Sequence, residues 1–197
     1  MAITLEKNKK ISLSKKSSSL GEILINLNWN AKSGFWASLM GRKSIDLDLG
    51  CLFEMKNGHK GVIQALGKHF GSLKESPYIS LDGDDRTGAN SEGENLRING
   101  NEIAKFNRVL IFTYIYEGTP NWRETDGIVT VKYPNAEEII VKMDEYNTNQ
   151  MMCAIAMLEN VNDETFSIEK LIRFFPGHEA MDRAFDWGMK WSPARKD

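Results

Sequence analysis

The 197-residue sequence predicts an all-β fold, a two-sheet β-sandwich with one or two short helices. Three observations carry that reading. Apolar residues recur at every second position in short runs, as half-buried strands require. Those runs are separated at close spacing by Gly, Asn, Asp and Pro, the residues that turn a chain. Helical periodicity is scarce, which argues against alternating strand–helix units and the nucleotide-binding crevices they form.

The elements follow in chain order. Residues 7–19 hold five lysines and five serines and read as a solvated surface strand and loop. Ile23, Ile25, Leu27 and Trp29 mark a strand by their period of two, and Ile45, Leu47 and Leu49 mark another. Further strands are predicted over residues 61–66, 95–99, 108–116, 128–133, 138–143, 151–158 and 166–174. Between them, 101–106 predicts one helical turn capped by Asn101. Near the end, 178–187 predicts a short helix with Met181, Ala184 and Phe185 on one face and Gly188 as its stop. The length and the absence of repeats or low-complexity tracts predict a single domain over residues 1–197.

Composition narrows the function. Lys and Arg number 25 against 27 Asp and Glu, so no global positive field exists to hold nucleic acid. The longest nearly apolar runs, 109–116 and 151–158, fall far short of the ~18 residues a membrane helix needs, so no membrane span is expected. The opening residues lack the continuous apolar stretch of a secretory signal, which predicts a cytoplasmic protein. Cys51 and Cys153 sit among apolar neighbours and read as small buried hydrophobes rather than a redox pair. Trp29, Trp36, Trp122, Trp187 and Trp191 read as packing residues, while the Phe35-Trp36 pair, if exposed, would form a partner-binding patch.

The chemistry concentrates in 82–94, Asp-Gly-Asp-Asp-Arg-Thr-Gly-Ala-Asn-Ser-Glu-Gly-Glu, with five carboxylates and three glycines. Carboxylates this close repel one another unless a cation lies among them, and glycines let the backbone turn its carbonyls inward. Oxygen donors without nitrogen or sulfur suit calcium and disfavour zinc. The loop is not an EF-hand, because Thr87 stands where that pattern needs glycine and Gly93 where it needs the bidentate glutamate. A second acidic pair, Asp46 and Asp48, lies one residue apart in a strand pattern, so both carboxylates share one face while Leu47 and Leu49 take the other. That face is either solvated or bridged by a cation.

Catalytic templates are missing. His59, His69 and His178 are scattered, no nucleophile elbow occurs, and the string from Gly61 to Lys68 is one residue too long for a phosphate loop. The sequence therefore reads as non-enzymatic.

Four segments resemble the TerD family of tellurium-resistance and stress proteins. They are the opening Leu5-Glu6-Lys7 with Leu13-Ser14-Lys15, then Leu27-Asn28-Trp29-Asn30, then Ile45-Asp46-Leu47-Asp48, and then Gly83-Asp84-Asp85-Arg86-Thr87-Gly88. The ending, from Gly177 to Trp191, is most similar to the family's TerA-like branch. The resemblance implies a calcium-binding β-sandwich that works with other proteins of a tellurite-resistance and stress operon, membrane-associated ones among them. It implies Asp46, Asp48, Asp84, Asp85 and Glu94 as metal ligands, with Asn30, Asp82 and Glu92 as additional candidates. Asn30 stands where the family carries Asp, and residues 89–94 are shorter than the family's loop, which predicts weaker binding or one ion in place of two.

The leading expectation is thus a non-enzymatic Ca²⁺ protein whose ion orders an interaction surface. The alternative is a Mg²⁺-dependent enzyme acting on phosphate esters through the same carboxylates. A calcium-dependent membrane module would need apolar or basic loop tips, and the loop offers only Arg86.

Overall fold

A computed structural model describes residues 2–15, 19–29, 45–82, 93–117, 122–144 and 148–193. Thirteen strands run in chain order among them. They are β1 (Ile3–Thr4), β2 (Lys10–Ser12), β3 (Glu22–Asn28), β4 (Asp46–Met55), β5 (Lys60–Ile63), β6 (Gly71–Ser72) and β7 (Ile79–Leu81), followed by β8 (Glu94–Asn99), β9 (Phe106–Glu117), β10 (Ile128–Lys132), β11 (Ile139–Lys142), β12 (Met152–Val161) and β13 (Thr165–Phe175). Two short helices, α1 (Trp122–Thr125) and α2 (His178–Ala184), and two 3₁₀ turns complete the set.

The strands form two sheets. One has the order β1-β11-β10-β3-β8-β7-β6 and the other β2-β13-β12-β9-β4-β5, so the all-β sandwich expected from the sequence is the fold. Register follows the apolar alternation: Ile23, Ile25 and Leu27 of β3 and Leu96 and Ile98 of β8 turn inward and meet Leu47, Leu49, Cys51 and Phe53 of β4 in one core.

The second sheet is buried on its outer face as well. Leu52, Leu110, Phe112, Tyr114, Met157 and Phe175 there form a separate cluster with Met181 and Trp187, which belong to the C-terminal segment. A roof of α2 and the residues after it therefore covers an apolar face that would otherwise meet water.

Several expectations change in detail. The strand beginning at Asp46 continues to Met55, because both faces of β4 are covered and the period of two disappears from its second half. The strand expected over 61–66 stops at Ile63, and Leu66–Lys68 forms a 3₁₀ turn instead. The turn at Gly100–Lys105 is capped by the Asn99 side chain, which accepts the Asn101 N–H at 3.1 Å, so Asn101 is not its cap. In α2, Met181 is buried but Ala184 is exposed. Trp29, Trp122 and Trp187 are packing residues, and both cysteines are buried and form no disulfide. Burial pushes the Cys51 thiol far up, leaving no thiolate for chemistry. Phe35 and Trp36 lie outside the described residues.

Candidate metal centre

Of the acidic residues of the two sequence motifs that are described, Asp46, Asp48 and Glu94 lie at one end of the sandwich, and Asp82 is paired elsewhere with Arg97. Asp46 and Asp48 open β4, and Glu94 opens β8 in the opposite sheet. As the alternation of β4 requires, both aspartates lie on the face away from Leu47 and Leu49. That face is not solvated: Asp46 is 5 % exposed and Asp48 0 %. Asp48 stands opposite Tyr114 of β9, itself buried. Carboxylates so placed are costly unless charge or hydrogen bonds compensate them.

Glu94 is 3 % exposed and takes the inward side of β8 with Leu96 and Ile98. Its Oε2 accepts the Leu49 backbone N–H at 2.6 Å. The reason is topological. β5 pairs with β4 only from Cys51 to Glu54, so among the described residues no strand pairs with β4 before Cys51 on the side away from β9, and the Glu94 carboxylate takes the N–H that a longer β5 would have used. The bond sets Glu94 against the peptide that follows Asp48.

Gly93 makes that approach feasible. Its φ of +67° suits glycine, and a Cβ there would collide with the Leu27 carbonyl oxygen of β3. Asp82 is placed differently. It is exposed, and Arg97 holds it from β8 with Nε 2.8 Å from both carboxylate oxygens, while Glu22 of β3 pairs with the same guanidinium. These hydrogen bonds, to Asp82 foremost, hold Arg97 still more firmly in its charged form. Asp84, Asp85, Glu92 and Asn30 lie outside the described residues.

Among the described residues the charged donors at this end are carboxylates, joined by the hydroxyls of Thr113 and Tyr114 on the neighbouring β9, an oxygen set that fits a hard cation such as Ca²⁺ better than zinc or copper. Among the described residues, no three His, Cys, Asp or Glu converge as a metal site by themselves. The sequence missed the Glu94–Leu49 bond and the Gly93 approach. Neither has a local signature, since both depend on where β5 ends and how close β3 runs.

Comparisons with known proteins agree with this architecture. The TerD domain pattern matches residues 1–165. The tellurium resistance protein TerA of an Alcaligenes species is 45 % identical over 199 residues, which cover 98 % of this chain but 58 % of that protein, so the chain spans little more than half its relative's length. Two solved structures share the fold. SAV2460, a protein of unknown function, superposes with a TM-score of 0.62 at 12 % identity over 83 % of this chain and 94 % of its own. SCO6318 from Streptomyces coelicolor A3(2), a homologue of telluride resistance protein TerD, gives 0.61 at 15 % over 83 % and 95 %. With most of its length inside the matched domain and nearly half its residues shared with TerA, the chain belongs to the TerD family of tellurium-resistance proteins.

Proposed function

We propose that the protein is a non-enzymatic Ca²⁺-binding module of a cytoplasmic tellurite-resistance system, in which the ion orders a surface that other proteins of the same operon recognise. The ligands would be Asp46, Asp48, Asp84, Asp85 and Glu94. Asn30 and Glu92 are further candidates, and Asp82 would have to leave Arg97 to join them. The observation that carries this reading is the burial of Asp46, Asp48 and Glu94 at one end, from two sheets, next to the point where the 83–92 segment enters β8. An ion held there would offset their mutual repulsion and tie the loop to the sandwich, an order–disorder device suited to recognition.

Calorimetric titration of metal-free protein with Ca²⁺ and with Mg²⁺ tests the proposal. Saturable heat with Ca²⁺ and a matching rise in melting temperature are expected. Absence of both would end the metal reading, and preference for Mg²⁺ together with phosphate-ester hydrolysis would replace it with the enzyme alternative.

A further inference from the structure

A second site, built from residues other than the acidic ones, lies on the open side of the sandwich. There the edge strands of the two sheets, β5 and β6, leave a cavity of about 610 Å³, closed on its third side by residues 189–191. Its volume falls within the range of small-molecule pockets. Phe53, Val62, Ile63, Met189 and Trp191 supply apolar walls, and the His59 ring stands edge-on to Phe53 at 5.2 Å.

The rim is one-sided in charge. His59, His69, Lys60 and Lys190 line it, and no Asp or Glu is among its described lining residues. Lys60 is already engaged, donating to the Trp187 carbonyl at 2.9 Å and pairing with Glu54 at 3.6 Å. Lys190, exposed, and the two imidazoles remain to receive a ligand.

The wall is pre-organised by a buried carboxylate. Asp182, 3 % exposed, accepts the Gly188 N–H at 2.9 Å, the Met189 N–H at 3.0 Å and the Trp191 Nε1–H at 3.1 Å. Trp187, in turn, donates its Nε1–H to the Phe53 carbonyl at 3.1 Å. Two wall residues are therefore fixed before any ligand arrives, which lowers the ordering cost of binding. This wall lies beyond residues 1–165, so the cavity is completed by a part of the chain outside the matched domain.

We propose that this cavity binds a small aromatic anion, its ring between Phe53, Met189 and Trp191 and its carboxylate, sulfonate or phosphate at Lys190, His59 and His69. Aromatic and sulfur-bearing walls favour a flat ring, and a rim of donors without a carboxylate favours negative charge.

The test is a fluorescence titration of the full chain with 1-anilinonaphthalene-8-sulfonate against its uncharged counterpart N-phenyl-1-naphthylamine, with circular dichroism confirming that each variant is folded. One saturable site for the sulfonate is expected, with the uncharged probe at least about tenfold weaker. Lys190→Glu, at an exposed position, should weaken the sulfonate about tenfold or more by reversing the rim charge. Val62→Trp should fill the cavity and abolish the site. Absence of saturable binding, equal affinity for the two probes, or binding indifferent to both substitutions would overturn the proposal.

Discussion

Glu94 and Leu49 meet across the sandwich, the carboxylate of one sheet accepting the backbone N–H of the other at 2.6 Å. The bond serves two purposes that substitution can separate. Glu94→Gln keeps an oxygen acceptor for Leu49 and removes the charge, whereas Glu94→Ala removes both. In metal-free protein Glu94→Ala should cost about 1–3 kcal/mol, the penalty for a buried N–H left without an acceptor, and Glu94→Gln clearly less. Both should lose most of any Ca²⁺-dependent stabilisation. Urea unfolding with and without chelator measures the two effects, and a Glu94→Gln variant that responds fully to Ca²⁺ would remove Glu94 from the ligand set.

The linkage between ion and stability has a definite size. For a dissociation constant of about 10 μM, 1 mM free Ca²⁺ stabilises the folded chain by about 2.7 kcal/mol. At about 2–4 °C per kcal/mol for a domain of this size, melting should rise by roughly 5–11 °C over the chelated sample. Asp46→Ala and Asp48→Asn should abolish most of the rise. Without the ion the same changes should alter melting by no more than the loss of each side chain's own contacts, so the Ca²⁺-dependent difference between native chain and variant is the readout. An equal melting loss in both conditions would assign the two aspartates a purely structural role.

Those predictions rest on residues the sequence made visible. Asp46 and Asp48 stand out because Leu47 and Leu49 alternate with them, and period two is readable wherever one face of a strand differs from the other. In the second half of β4 the signal fails: Gly50, Cys51, Leu52 and Phe53 are all buried, so no alternation remains to report the strand. Burial of Asp48 was equally hidden, since a polar residue marks a strand face without saying what covers it. The roof over the outer face of the second sheet depends on contacts between residues far apart in the chain, such as Trp187 with Phe53, which no local pattern encodes.

That roof should fail as a unit when its clamp is removed. Asp182→Ala would strand the Gly188 and Met189 N–H groups and the Trp191 indole, at a cost of about 2–4 kcal/mol, with Asp182→Asn intermediate because one acceptor oxygen remains. Limited proteolysis should then cut within 185–193 well before the sandwich opens. A cleavage rate unchanged from the native protein would show that the Arg108 bonds to the Phe185 and Asp186 carbonyls, at 2.9 and 3.1 Å, hold the segment without Asp182.

The same roof makes stability depend on pH through His178. Its ring lies among Phe112, Tyr114 and Trp191, with centroids at 5.6, 5.6 and 4.9 Å, and its Nε2 is 2.7 Å from Gln64 Oε1, an arrangement the neutral Nε2–H tautomer satisfies by donating. Burial depresses its pKa from 6.5 to about 4. The folded chain therefore prefers the neutral ring, and between those values the unfolded chain binds more protons. The contribution is fully present above pH 6.5 and is lost as pH falls towards 4, reaching about 3 kcal/mol over the window. Burial alone would raise the Glu54 carboxyl, but the hydrogen bonds and charges of Arg108 and Lys60 together outweigh it and hold it low; its loss of stability in acid is common to any variant at position 178. Urea midpoints of native protein and His178→Gln, compared at pH 7.5, 5.5 and 4.5, cancel that common part. The native chain should lose about 2.5 kcal/mol more than the variant across the range, and parallel pH profiles would show that the buried ring accepts a proton without cost.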